Sequence, residues 1–245
     1  MNTVRNLNDG WQNMMKSMAK LSSGFRINSA ADDPAGLVIS EQMRARIASL
    51  NQEIENTSIT INKYQTADSA ALQLRETLVE IRTLAVGAAN SAVNDESITA
   101  AYQAEADDLV TRYNGIVDNA AFGTQKLFDG SDGSLADVTA LSRYDLSSPE
   151  KAEDTVAAID KEIAVLDGTI TELGATEKNG LESRLANLRV EAENLTAAES
   201  QIRDTDYFQE YSNLVRNRLV VQAAVSLLSH GNITGQSVLR LLGGM

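Results

Sequence analysis

Cysteine is absent and histidine occurs once, at position 230. Without thiols there is no disulfide framework, no thiol nucleophile and no cysteine-bearing zinc site, and one histidine cannot furnish a His-x-x-x-His pair. Prolines number two and aromatic residues are 4% of the 245, so the bulky residues of a thick globular core are missing. The apolar share, 43%, leans on alanine, leucine, isoleucine and valine, which is helix composition. Basic charge is scarce: 21 Lys and Arg stand against 34 Asp and Glu, a net −13, and that excludes a general basic footprint for nucleic acid. Long apolar runs are missing as well. Leu219 to Leu228, the most apolar stretch near the C-terminus, contains Gln222 and is about half of what a bilayer requires. The N-terminus has no continuous apolar segment ending in a small-residue cleavage site. The expectation is a chain without a membrane span that either stays in the cytoplasm or leaves the cell by a route without cleavage.

The charge that is present is unevenly placed. Residues 1–31 carry Arg5, Lys16, Lys20 and Arg26 against Asp9, a net +3, and residues 211–245 carry Arg216, Arg218 and Arg240 and no acid, another +3. Residues 32–210 therefore hold −19. Two mildly basic ends flanking an acidic body predict that the ends share an environment different from the middle.

Periodicity predicts long helices. Ile47, Leu50, Ile54, Thr57, Ile61 and Tyr64 recur at spacings of three and four, then shift phase by one and continue as Ala67, Ala71, Leu74, Leu78, Ile81 and Ala85. Val156, Ile159, Ile163, Leu166, Ile170 and Leu173 repeat the pattern, followed by Leu181, Leu185, Leu188, Ala192, Leu195, Ala198 and Ile202. Glu177, flanked by Gly174 and Gly180, predicts a bend or break. Asp33 before Pro34 and Ser148 before Pro149 read as N-caps with proline at the first helical position. A shorter helix is expected from about Ser97 to Val117, capped by Asn94 or Asp95, and the glycine-punctuated stretch 118–148 reads as a small hairpin region. Helices over 43–89 and 156–202 would each run ~70 Å, against a radius of gyration of about 18 Å for a compact chain of this length. The predicted fold is therefore all-α dominated: an elongated antiparallel helical bundle or coiled coil with a small β-hairpin region around 118–148.

Each chain end reads as a short amphipathic helix. Leu7, Trp11, Met14 or Met15, Met18 and Leu21 form one stripe; Leu214, Val221, Ala224, Val225 and Leu228 form the other, widened by Val220 and Leu227 and followed after Gly235 by Val238, Leu239, Leu241 and Leu242. Such helices are marginal alone. Extra bundle layers would account for them, but a solvated helix face in so acidic a protein should carry carboxylates, and surplus apolar surface signals oligomerisation.

Specific motifs sharpen this reading. The run LSSGFRINSAADDPAGLVISEQM, Leu21 to Met43, resembles the N-terminal signature of bacterial flagellins. NLTAAESQIRDTDYFQEYSNLV, Asn194 to Val215, is similar to the C-terminal signature, continued by QAAVSLLSHGNITGQSVLRLL, Gln222 to Leu242, and RYNGIVDNAAFGTQKLFDGS over 112–131 resembles the turn after the third helix. The resemblance covers nearly the whole chain. It implies a structural subunit that polymerises into the flagellar filament for motility, in a minimal form lacking the variable outer domain, since Gly130 to Ser148 leaves no room for one. It implies three regions: 1–31 as the N-terminal part of an inner coiled-coil domain with its spoke, 32–205 as a rod-like helical domain with the small hairpin region, and 206–245 as the C-terminal part of the inner domain. Gly24, Arg26, Asn28, Asp32 and Asp33 are then the spoke and its turn, and Leu214, Val221, Val225, Leu228, Leu239 and Leu242 are assembly residues. The implied partners are copies of the same chain, the flagellar export machinery and a flagellin chaperone, and the implied location is the extracellular flagellum, reached without a cleaved signal peptide. No cofactor or metal is implied.

A further carry-over concerns Toll-like receptor 5. Flagellins that it recognises carry Gln-Arg-Val-Arg-Glu-Leu where this sequence has Val79, Glu80, Ile81, Arg82, Thr83 and Leu84. Arg82 and Leu84 are kept, with Leu78 just before, and these three are the candidate receptor contacts. Glu80 stands in place of arginine and Thr83 in place of glutamate, so one charge is reversed and one lost, and a misplaced charge at an interface is costly. For Leu78, Ile81 and Leu84 the competing role is bundle core or subunit contact. Flagellins also begin with further helical turns before the segment matching Asn6-Leu7-Asn8, where this sequence has Met1 to Arg5. A hook–filament junction protein, whose ends resemble those of flagellin, is the alternative function. An enzyme is the rival class: the zinc peptidase insertion of some flagellins needs two histidines, and Ser-His-Asp chemistry would need His230, read as a polar residue at a helix end. Asp32-Asp33, Asp107-Asp108 and Asp204 with Asp206 read as caps and solvated faces.

Overall fold

Asp33 starts the longest helix. The computed structural model describes residues 2–90, 95–130 and 137–242, and the side chains within 3–90, 95–130 and 137–230. In it Asp33 Oδ1 accepts the Gly36 amide at 2.9 Å, and Pro34 takes the first helical position, where its missing N–H costs nothing. That helix, α2 (Pro34–Ala88), follows α1 (Asn2–Ser23) and precedes α3 (Glu96–Asn119). The antiparallel pair β1 (Ala121–Phe122) and β2 (Gln125–Lys126) comes next, then α4 (Pro149–Ala175), a π-helical stretch Thr176–Glu182, α5 (Ser183–Arg203) and α6 (Tyr207–Leu242). Every expected helical segment forms, with α2 beginning at its Asp-Pro signal rather than at 43. The chain divides into two units, Gln52–Arg189 and Met1–Asn51 with Val190–Met245.

The first of these units is a helical bundle around one seam. Ile61, Tyr64, Ala67, Ala71, Leu74, Leu78, Ile81, Ala85 and Ala88 of α2 are buried, matching the three-and-four spacing read from the sequence. From Tyr64 onward they pack with Ala106, Val110 and Tyr113 of α3 and Ala152, Ile159, Leu166 and Leu173 of α4. Gln65 donates to Glu177 at 2.7 Å, Arg75 to Asp167 at 2.5 Å and Arg82 to Asp160 at 2.6 Å. The partner number falls as the α2 number rises, so the two strands of the bundle run antiparallel. These pairs are half-exposed, so they fix register more than they stabilise. Buried Thr77 and Thr169 turn their hydroxyls onto the carbonyls of Gln73 and Val165, which is how a polar side chain enters a helix seam without an orphan donor.

Caps agree with the sequence. Asp95 accepts the Ile98 amide at 2.9 Å and Ser148 the Lys151 amide at 3.4 Å. At Glu177 the helical path does not break; its hydrogen bonding widens to the π pattern over Thr176–Glu182, where no side chain is buried. Among the described residues of the predicted hairpin region, only 121–126 pair. The described chain beyond it is satisfied by α3 instead: the Asn114 amide side chain bonds both the N–H and the C=O of Leu141, and Gln103 bonds the Tyr144 carbonyl and the Leu146 amide. Those backbone groups need no strand partner.

Candidate assembly surface

In the second unit α1 pairs with α6. Gly10 lies against Val221 and Gly24 against Tyr207, so the two helices run antiparallel. The line of α1 that loses its exposure is Leu7, Gly10, Met14, Ser17 and Leu21, with Gly10 and Ser17 buried; the corresponding line of α6 is Leu214, Asn217, Val221, Ala224 and Leu228, with Val221 and Ala224 buried. Both lines step by three and four. Small residues at the closest points let the backbones approach, and a Cβ on Gly10 would stand 3.0 Å from Val221 Cγ2. The α1 stripe expected from large residues alone is therefore rotated, since Trp11, Met15 and Met18 do not face α6.

Those large residues stay in water. Trp11, Met15 and Met18 are half-exposed, and on α6 Tyr207, Phe208, Tyr211, Val215, Leu219 and Val225 are exposed, Phe208 at 90%. Leu21, Tyr207, Phe208 and Tyr211 together line a shallow apolar hollow. Of the assembly residues named from sequence, Leu214, Val221 and Leu228 lie on the α1-facing line and Val225 on the outside; the side chains of Leu239 and Leu242 lie outside the described residues. His230, expected at a helix end, lies within α6, which runs on to Leu242; the glycines beyond it do not stop the helix.

The connector between α1 and α2 is ordered by its own polar groups. Gly24, at φ +78°, takes a left-handed conformation that other residues rarely adopt. Phe25 and Asp204 form an isolated antiparallel bridge, with Arg26 N donating to the Arg203 carbonyl at 2.6 Å and Thr205 N to the Gly24 carbonyl at 2.9 Å. The Arg26 guanidinium reaches the Ile202 carbonyl at 2.5 Å and Asn28 the Phe25 carbonyl at 3.3 Å. Asp32 Oδ2 accepts the Ser29 hydroxyl at 2.9 Å and the amides of Ser29 and Asn28. The Ser29 hydroxyl, above all, holds this carboxyl below its ordinary range, against an opposing effect of burial. The spoke residues read from sequence thus share one turn, with Asp33 as the α2 cap. The other acidic pairs also have local partners: Asp206 caps α6 by accepting the Gln209 amide, and Asp107 holds Arg143.

The α2 stretch compared with receptor-binding flagellins divides by face. Leu78 and Ile81 have no exposed surface, and Leu84 is half-buried against the same core. Arg82 pairs with Asp160, which raises its affinity for its proton, and Glu80 pairs with Arg112 at 3.4 Å. Among the described residues no group of three or more His, Asp or Glu is placed to hold a metal ion, and no helix is long and apolar enough to cross a membrane.

Comparison with known proteins decides the family. The model of the bacterial flagellin N-terminal helical region matches residues 1–132 and that of the C-terminal helical region matches residues 156–242. The chain belongs to the bacterial flagellin family. A flagellin of Halalkalibacterium halodurans is 36% identical over 264 residues, covering 99% of this chain and 96% of that one. A flagellin of Bacillus subtilis is 32% identical over 295 residues, 99% and 97% of the two chains. The flagellar filament 33 kDa core protein of Treponema phagedenis is 31% identical over 265 residues, 94% and 92%. The chain is a short flagellin, joined from one terminal region to the other without a large variable domain.

Sequence reasoning passed over Gly10, which stands close against Val221, and Ser17, buried on the same line of α1, and over Phe208, Tyr211, Val215 and Leu219. Their spacing of three and four was readable; what hid them was the competing aliphatic stripe of Leu214, Val221, Ala224, Val225 and Leu228 on the same helix.

Proposed function

We propose that the chain is a structural subunit of the bacterial flagellar filament, polymerising with copies of itself for motility. The observation that carries this reading is the apolar face left on the α1–α6 pair, with Trp11, Met15, Met18, Tyr207, Phe208 and Tyr211 in water. Two helices cannot bury both of their apolar faces in one another, and a contiguous exposed patch of this kind marks an interface. The acid-free charge of residues 211–245 supports the same reading, because neighbouring copies then meet without carboxylate repulsion. In this reading 1–31 and 206–245 form the inner layer of the polymer and 32–205 the rod outside it. The subunit is structural and catalyses no reaction. It works outside the cell, exported uncleaved by the flagellar export machinery with a chaperone.

Toll-like receptor 5 is a further partner in this reading. Arg82 and Leu84 offer surface to it, whereas buried Leu78 acts by holding the helix, and Glu80 presents a charge opposite to that of receptor-binding relatives.

Seeded growth tests the main reading. Purified monomer added to sheared filament fragments is expected to extend them into long fibres in electron micrographs. Failure to extend, or arrest after a few copies as a hook–filament junction protein would show, contradicts it. Limited proteolysis supplies a second arm: ends open to protease in the monomer and protected in the fibre are expected, because each end has too little partner surface alone.

A further inference from the structure

Arg203, the last residue of α5, gathers the connector around itself. Its guanidinium carbon lies 4.8 Å from the centroid of the Phe25 ring. Its Nη1 donates to Glu41 Oε1 at 2.6 Å, and its carbonyl accepts the Arg26 amide. The side chain is 13% exposed, while the arginines of the Arg46–Glu191, Arg75–Asp167 and Arg82–Asp160 pairs are 52%, 43% and 43% exposed. Solvated pairs contribute little, whereas a desolvated guanidinium stacked on a ring is a directional contact that an ammonium cannot copy. Arg203 Nε is buried without a hydrogen-bond partner. That is a cost an apolar residue of similar volume would not carry, so stability alone does not account for arginine here. Geometry does: one planar group joins the connector at Phe25 to α2 at Glu41 while its backbone closes the Phe25–Asp204 bridge.

We infer that Arg203 is the positioning residue of the connector, clamping Phe25 against Glu41 so that the free subunit already holds the turn from which α1 and α6 depart. Polymerisation then orders only the terminal helices. The clamp is a property of the monomer; its consequence for assembly rests on the filament reading above.

Amide hydrogen exchange on the full-length monomer tests the clamp, and seeded elongation tests its consequence. Arg203→Lys keeps the charge for Glu41 but loses the planar stack, and Arg203→Met removes both. The amides of Arg26 and Thr205 are expected to exchange about tenfold faster or more in each variant, with rates within Gln52–Arg189 unchanged, as for a local opening. Elongation is expected to slow or the fibre waveform to change. Unchanged protection of the two amides in both variants would overturn the clamp, and lost protection with wild-type elongation and waveform would overturn its positioning role. If Arg203→Met unfolds, Phe25→Leu takes its place, and a wild-type rate of exchange there counts against the proposal in the same way. Wild-type monomer that fails to extend seeds would remove the filament reading, while exchange at Arg26 and Thr205 would still decide the clamp.

Discussion

Gly10 of α1 and Val221 of α6 meet so closely that a Cβ on the glycine would stand 3.0 Å from the valine Cγ2. A larger residue at position 10 must push the helices apart. Gly10→Leu is expected to cost about 1–3 kcal/mol of packing between the terminal helices and to slow seeded elongation, while leaving the thermal melt of Gln52–Arg189 in place. Wild-type elongation by this variant would show that the two helices are not paired in this register during assembly.

Phe208 separates interface from core. At 90% exposure it adds almost nothing to the monomer, so Phe208→Ser is expected to change unfolding stability by less than about 0.5 kcal/mol. Its effect belongs to the polymer: the critical concentration for fibre growth is expected to rise several-fold. A variant with an unaltered critical concentration would take Phe208 out of the assembly surface.

Leu78 and Glu80 sit two residues apart and answer different questions. Leu78→Ala removes a fully buried side chain and is expected to destabilise the helical bundle by about 2–5 kcal/mol, read as a lower urea midpoint. Glu80→Arg breaks only a half-exposed pair with Arg112, so stability is expected to shift by less than about 1 kcal/mol. In reporter cells carrying Toll-like receptor 5 this variant is expected to signal more strongly than wild type. Equal responses would show that the reversed charge does not limit recognition.

Tyr113 and Tyr144 give the bundle an alkaline limit. Burial, with Glu162 adding to it, pushes both hydroxyls up to about 12, while an unfolded tyrosine titrates near ~10. Between these values the unfolded chain has released protons that the folded chain keeps, so stability falls as pH rises through that window. Urea midpoints across the window are expected to decline in wild type and to flatten when Tyr113 and Tyr144 are both changed to Phe. A decline of the same slope in the double variant would assign it to other groups.

Much of the architecture was legible because α2 states it plainly. Leu74, Leu78, Ile81 and Ala85 step by three and four, and all four are buried. Asp33, Asp95 and Ser148 marked helix starts through the amides they accept. The π-helical stretch was announced only as a disturbance at Glu177, since glycines and a misplaced charge show where a pattern fails and not which hydrogen-bond spacing replaces it. The hairpin region was over-read for a related reason: Asn114 and Gln103 satisfy the backbone at Leu141, Tyr144 and Leu146, and long-range side-chain pairings leave no local signal.

The sequence by itself determined the helical class, the acidic body with basic ends, the family signatures and the buried seam of α2. These follow from composition and spacing, which depend on neighbours along the chain. Tertiary structure alone decided which stripe of α1 faces α6 and that Arg203 meets Phe25 and Glu41. The reason is the same in each case. Large apolar residues announce burial wherever they lie, but the closest helix contacts select small ones such as Gly10, and the partner of a charge far away in sequence is chosen by the fold.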